Sequence, residues 1–159
     1  MKTILSILFL TMSSISLFSQ TGQMLTASAD LNGVQQHALF PARPANFFIY
    51  SHNTNPSGSM DYIGLDDQHN HNHSHVVTGV MKHYAYALAP NITPANDQQI
   101  VSQYASMIAS QGGTIYQNNA SGARMEITQN GLNYYILVVP SGGGTQYEIT
   151  VMEYDPNQQ

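Results

Sequence analysis

The stretch ARMEITQNGLNYYILVVPSGGGTQYEITVME, residues 123–153, decides the fold. Its first seven residues put Met125 and Ile127 on one side of an alternating strand, the two-residue period of an extended chain. Asn130-Gly131 follows, and both residue types accept positive φ, as a type I′ hairpin turn requires. Leu132 to Val139 is apolar on both faces, which predicts a central strand. Beyond the Pro140–Thr145 turn, alternation resumes through 146–153 with Tyr147, Ile149 and Val151 directed inward. Three strands joined by two short turns make an antiparallel meander.

Upstream of the meander the period changes. Ile100, Val101, Tyr104, Met107 and Ile108 recur at helical spacing and define one apolar face. Thr93-Pro94 suits an N-cap followed by the first helical position, and Gly112-Gly113 supplies the left-handed stop. A short strand is expected over 114–117. Nearer the N-terminus, strands are expected over 46–51, 59–65 and 76–88, with a turn-rich loop at 52–59 and a polar His-rich loop at 66–75. The element order β-β-β-α-β-β-β-β predicts an α+β fold: an antiparallel sheet with one amphipathic helix packed on one face.

Residues 1–19 have the layout of a secretory signal peptide. Lys2 is the positive start, Ile4–Met12 the apolar centre, and Ser13–Ser19 ends in a small residue, with Leu17 larger than the usual residue two positions before the cut. The apolar run is too short to span a bilayer. Residues 20–36 carry no period and are expected to form a flexible leader, followed by a single domain over 37–154 and a tail at 155–159. About 140 residues remain after cleavage, one domain by length and enough for a core without staples. There is no Cys, hence no disulfide or Cys-linked lipid. The net charge is −5 over the full chain and −6 without Lys2, since three basic residues then face nine acidic ones. That balance excludes the basic patches that nucleic acid and anionic membranes require. The expected setting is exported, periplasmic or extracellular.

Several segments resemble an uncharacterised envelope domain. They are HALFPARPANFFIY (37–50), GVMKHYAYAL (79–88), IVSQYASMIASQGGTIY (100–116), NYYILVV (133–139) and YEITVMEY (147–154). That domain occurs upstream of the peptidoglycan-binding module in some OmpA-like outer-membrane proteins, and occasionally alone. Gly79, Gly112, Gly113 and Glu153 fit its pattern, whereas Gln103-Tyr104 stands where the family shows Asn-Tyr. The resemblance implies an envelope setting and no catalytic residues. It implies no cell-wall anchoring, because the peptidoglycan-binding module is not expected in this chain.

The only concentrated chemistry is His69, His71, His73 and His75. Neutral imidazole binds Zn, Cu or Ni. At alternate positions of an extended chain these side chains share one side at intervals of about 6.6 Å, so a common ion needs the loop to curl. Asp66 and Asp67 offer oxygen ligands. The expectation is a solvated loop that associates weakly with such ions, as a purification tag does, and no other cofactor. HNHSH lacks the Asp of HxHxDH hydrolase sites. Ser141 is not framed as Gly-x-Ser-x-Gly, and Gly142–Gly144 is no phosphate loop without Lys and a following helix. Asp61, Glu126, Glu148 and Glu153 are expected as outward, solvated carboxylates, and the strand tyrosines as packing groups. These readings predict a non-catalytic exported module whose partner is an envelope protein or surface ligand. The alternative is a metal-binding or metal-buffering protein using the 69–75 loop.

Overall fold

Two turn chemistries and one helix cap set the chain path. The computed structural model describes residues 26–64 and 73–155, with 62–64 and 73–75 described by backbone alone. The expected signal peptide, the start of the leader, residues 65–72 and the end of the tail lie outside the described residues. The elements are β1 (Phe47–Gly64), β2 (His73–Leu88), α1 (Asp97–Ser110), β3 (Thr114–Asn119), β4 (Gly122–Gln129), β5 (Leu132–Ser141) and β6 (Gln146–Tyr154). They form an open six-stranded sheet in the order β1-β2-β6-β5-β4-β3, with every neighbouring pair antiparallel. The helix packs against it and carries the chain from β2 to the far edge.

The meander behaves as its sequence predicts. Asn130 and Gly131 both take positive φ, 53° and 79°, the geometry of a type I′ turn. Gly142, Gly143 and Gly144 supply three further positive φ values in the β5–β6 turn. β5 and β6 form the central pair, which explains why β5 is apolar on both sides.

Three expectations are corrected. The first two expected strands and the turn between them are one strand, β1. Its ladder to β2 continues across 52–59, with register shifts at Ile49/Ser51 and Asn55/Gly58. Pro56 falls in the second irregularity, and an edge strand tolerates a missing N–H on its open side. The helix begins later than Thr93. Asn96 is the N-cap, accepting from Gln99 N–H at 2.8 Å while Gln99 Oε1 accepts from Asn96 N–H at 3.0 Å. This reciprocal capping box satisfies two orphan donors, which a Thr93 cap would not. The helix ends as predicted: Gly112 at φ 86° and Gly113 donate to Ala109 and Ile108 carbonyls, a Schellman closure.

The third correction concerns 26–36. These residues are tied to the sheet. Ala27 N–H donates to Leu88 O, and Leu31 N–H donates to Ile49 O. The Asp30 carboxylate accepts from Ile49 N–H at 2.8 Å and from both Arg43 guanidinium nitrogens at 2.7 and 2.8 Å. The segment lacks a period because it is held by backbone bonds to β1 and β2 and by the Asp30 carboxylate, which require no hydrophobic pattern.

The sheet has two apolar clusters. On the helix side Ile100, Val101, Tyr104, Ala105 and Ile108 pack on residues of β1, β2, β4, β5 and β6, with Leu39 and Phe40 of the strap formed by residues 37–46 ahead of β1. Met107, expected on that face, is half-buried against the same cluster, while Ala105 is the buried residue the apolar pattern passed over. On the opposite side a smaller cluster joins Val77, Tyr135, Met152 and Tyr154 with half-buried Met60, Met81 and Tyr116.

Candidate functional site

The expected His site divides at the boundary of what is described. His69 and His71 lie outside the described residues. By their backbones His73 and His75 belong to the start of β2 in the β1–β2 ladder, paired with Gly64 and Tyr62. β2 therefore begins inside the stretch expected to be loop. Among the described residues, no three His, Asp or Glu side chains come together as a metal-holding group.

The densest polar constellation lies on the sheet face away from the helix, and it centres on Glu126. Alternation in β4 puts Met125 and Ile127 under the helix and Glu126 on the other face. There the carboxylate is half-buried: Tyr116 donates to Oε2 at 2.6 Å, and Tyr154 donates to Oε1 at 2.6 Å. Asn133 Nδ2 adds a longer bond to Oε1 at 3.4 Å, and Thr128 donates to Asn133 Oδ1 at 2.8 Å. Four strands, β3 to β6, thus meet at one carboxylate. Burial pushes the Tyr154 phenol well above its ordinary value, and the adjacent Glu126 charge adds to this. Tyr154 is consequently a protonated donor at neutral pH. A depression of about 370 Å³ opens beside Glu126, floored by Gly113, Ile127 and Asn133. A larger one, about 490 Å³, lies where the β1 bulge at Pro56 faces Glu153 and Asp155.

The other carboxylates differ. Glu148 is exposed and accepts from His83 across the β2–β6 pair at 3.3 Å. Glu153 shares the face of Tyr147, Ile149 and Val151, so it does not point outward as expected; it lies near Lys82 Nζ at 3.6 Å. Asp61 is exposed, as expected.

A second constellation sits on the helix side, beneath the strap. His37 is wedged between rings, 5.9 Å from Tyr134, 6.1 Å from Phe40 and 6.3 Å from Tyr84. Its Nδ1 accepts from Leu39 N–H at 3.3 Å. Burial, followed by the nearby Lys82 charge, pulls its pKa down to about 4, so it is neutral at pH 7. Tyr84 carries His52 on its other flank at 4.7 Å. His52 also approaches Thr54 Oγ1, at 3.5 Å on the exposed part of β1. Sequence reading missed Glu126 and His37 as organised groups. Alternation could show only that Glu126 faces away from the helix; its partners are 10 and 28 residues distant.

No protein-family model matches this chain, and no curated protein matches its sequence. No described helix is long and apolar enough to cross a membrane.

Proposed function

We propose that this protein is an exported envelope or secreted module that acts by binding or structure rather than by catalysis. The observation that carries the reading is the use made of its carboxylates. Glu126, Glu148 and Glu153 each engage groups on other strands, Tyr116 and Tyr154, His83, and Lys82 respectively. Such pairs tie strands together, and they occupy the groups that acid–base chemistry would need. The exported setting rests on the charge and length pattern of residues 1–19, and the envelope setting on the segments quoted above. Intact mass of the protein recovered from a cell envelope or medium tests export: a mature N-terminus near Gln20 is expected, and a full-length mass retaining Met1 rules export out. Capture of an envelope protein on the mature chain tests binding, with the heat-denatured chain as the control that must capture nothing.

A second reading is metal binding by the His-rich stretch. It is favoured by the position of that stretch between β1 and β2, the two strands of the long edge hairpin. Imidazole must be neutral to ligate, so such binding weakens between about pH 7 and pH 5.5. Replacement of His69, His71, His73 and His75 by Asn should remove it. Retention of Zn(II) binding by that variant would overturn this reading.

A further inference from the structure

The choice of side chains in the second apolar cluster is unlike that in the first. The helix-side core holds Ile, Val, Leu, Phe and Tyr, with Met125 its one fully buried methionine. The opposite cluster is built from three methionines, three tyrosines and one valine. It has a methionine on each of three adjacent strands, Met60 of β1, Met81 of β2 and Met152 of β6, with Val77 of β2 as its one aliphatic hydrocarbon.

Met81 and Met152 converge, and Met60 packs on the same cluster. Met81 and Met152 are directly opposed across the β2–β6 ladder. A β-carbon on Gly58 would lie 3.5 Å from the terminal methyl groups of both, so the two side chains reach the same part of β1, over a residue that has no side chain. Met60 follows Gly58 by two positions on the same face of β1 and packs on the same cluster. Met152 is fully buried, whereas Met60 and Met81 are half-buried, leaving access from solvent.

We propose that Met60, Met81 and Met152 form a thioether site for a soft monovalent d10 cation, Cu(I) in an exported setting and Ag(I) as its redox-inert equivalent. Thioethers select such ions over Zn(II), Mg(II) or Ca(II), because a large polarisable sulfur binds a polarisable cation and has no charge to offer a hard one. Three neutral ligands leave the ion with one positive charge. Tyr116 and Tyr154 of the same cluster end on the Glu126 carboxylate, which puts an opposite charge at the cluster's border. Thioethers do not protonate in the physiological range, so binding here is independent of pH where imidazole binding fails. The proposal does not rest on the His-rich stretch, and the pH dependence separates the two.

The experiment is a titration of the mature chain with Ag(I) at pH 5.5, read through 13C-labelled methionine methyl groups. It is repeated on the variant in which His69, His71, His73 and His75 are Asn. One equivalent of Ag(I) should shift the methyl signals of Met60, Met81 and Met152 together in both proteins, leaving Met107 and Met125 in place. Met60→Leu and Met81→Leu are close in volume to the original and half-exposed, so they should fold. Each should weaken binding by about tenfold or more, the scale on which even groups supporting a metal ligand act. The proposal is overturned if the three methyl signals stay fixed, if Met24 alone responds, or if the two Leu variants bind Ag(I) as tightly as the parent. In those cases the methionines serve only to pack against the tyrosines.

Discussion

The hydroxyl groups of Tyr104 on the helix and Tyr147 on β6 share a hydrogen bond of 2.8 Å in the centre of the helix-side core. Tyr147 also stacks on Tyr86, with ring centroids 4.4 Å apart and planes 12° from parallel. The Tyr86 hydroxyl is buried and has no hydrogen-bond partner among the described residues. Three tyrosines in one core therefore carry opposite energetic signs. Burial raises the pKa of all three, so each is a neutral phenol at physiological pH.

Tyr147→Phe should destabilise the protein by about 1–3 kcal/mol, because it strands the buried Tyr104 hydroxyl. Tyr86→Phe should be neutral or stabilising, since it removes a polar group that has already lost its water. The double replacement of Tyr104 and Tyr147 by Phe should cost less than the two single changes added together. Urea denaturation of the four variants gives the comparison. A destabilised Tyr86→Phe protein would show that its hydroxyl has a partner in solution.

The neutral state of His37 makes stability depend on pH. Its folded pKa is about 4 and the ordinary value for histidine is 6.5, so between these the unfolded chain binds more protons. Its contribution is therefore complete above about pH 6.5 and is lost as pH falls towards 4. The groups facing it are Lys82 and Tyr84 on β2, Tyr134 on β5, and Glu153 through its pairing with Lys82. His37→Phe should flatten the denaturation midpoint over that window. An unchanged slope in the variant would show that His37 is solvated.

Glu126 should matter to stability although it faces away from the helix. Glu126→Ala removes the acceptor of two tyrosine hydroxyls and should cost about 1–3 kcal/mol. Glu126→Gln keeps one acceptor oxygen and should cost less. Thermal unfolding would decide; a loss below about 0.5 kcal/mol for the Ala variant, the range of ordinary surface changes, would mean the bonds do not persist in solution.

Ile108 tests the docking of the helix. It is fully buried, and its side chain meets the position of Gly113 at the Schellman turn. Ile108→Ala should cost about 2–5 kcal/mol, the range for truncating a buried aliphatic chain. A change below about 0.5 kcal/mol would mean that the helix does not pack there.

Local order alone determined the meander, the helix and its C-terminal stop. Each depends on interactions between residues close in the chain: alternation in β4 and β6, the Asn130-Gly131 turn, and the i, i+4 face through Ile100, Tyr104 and Ile108. The helix start was also local, in the Asn96–Gln99 box, but Thr93-Pro94 imitates the same signal three residues earlier. Only the tertiary structure decided the rest. Residues 52–59 read as a turn because Asn, Pro and Gly usually interrupt strands, yet at a sheet edge a bulge absorbs Pro56 at little cost. The Asp30–Arg43 pair, the Tyr104–Tyr147 bond, the capture of Glu126 and the gathering of Met60, Met81 and Met152 in one cluster join residues from separate elements. No periodicity encodes such meetings, because they depend on which strands become neighbours, and that order, β1-β2-β6-β5-β4-β3, is set by packing of the whole sheet.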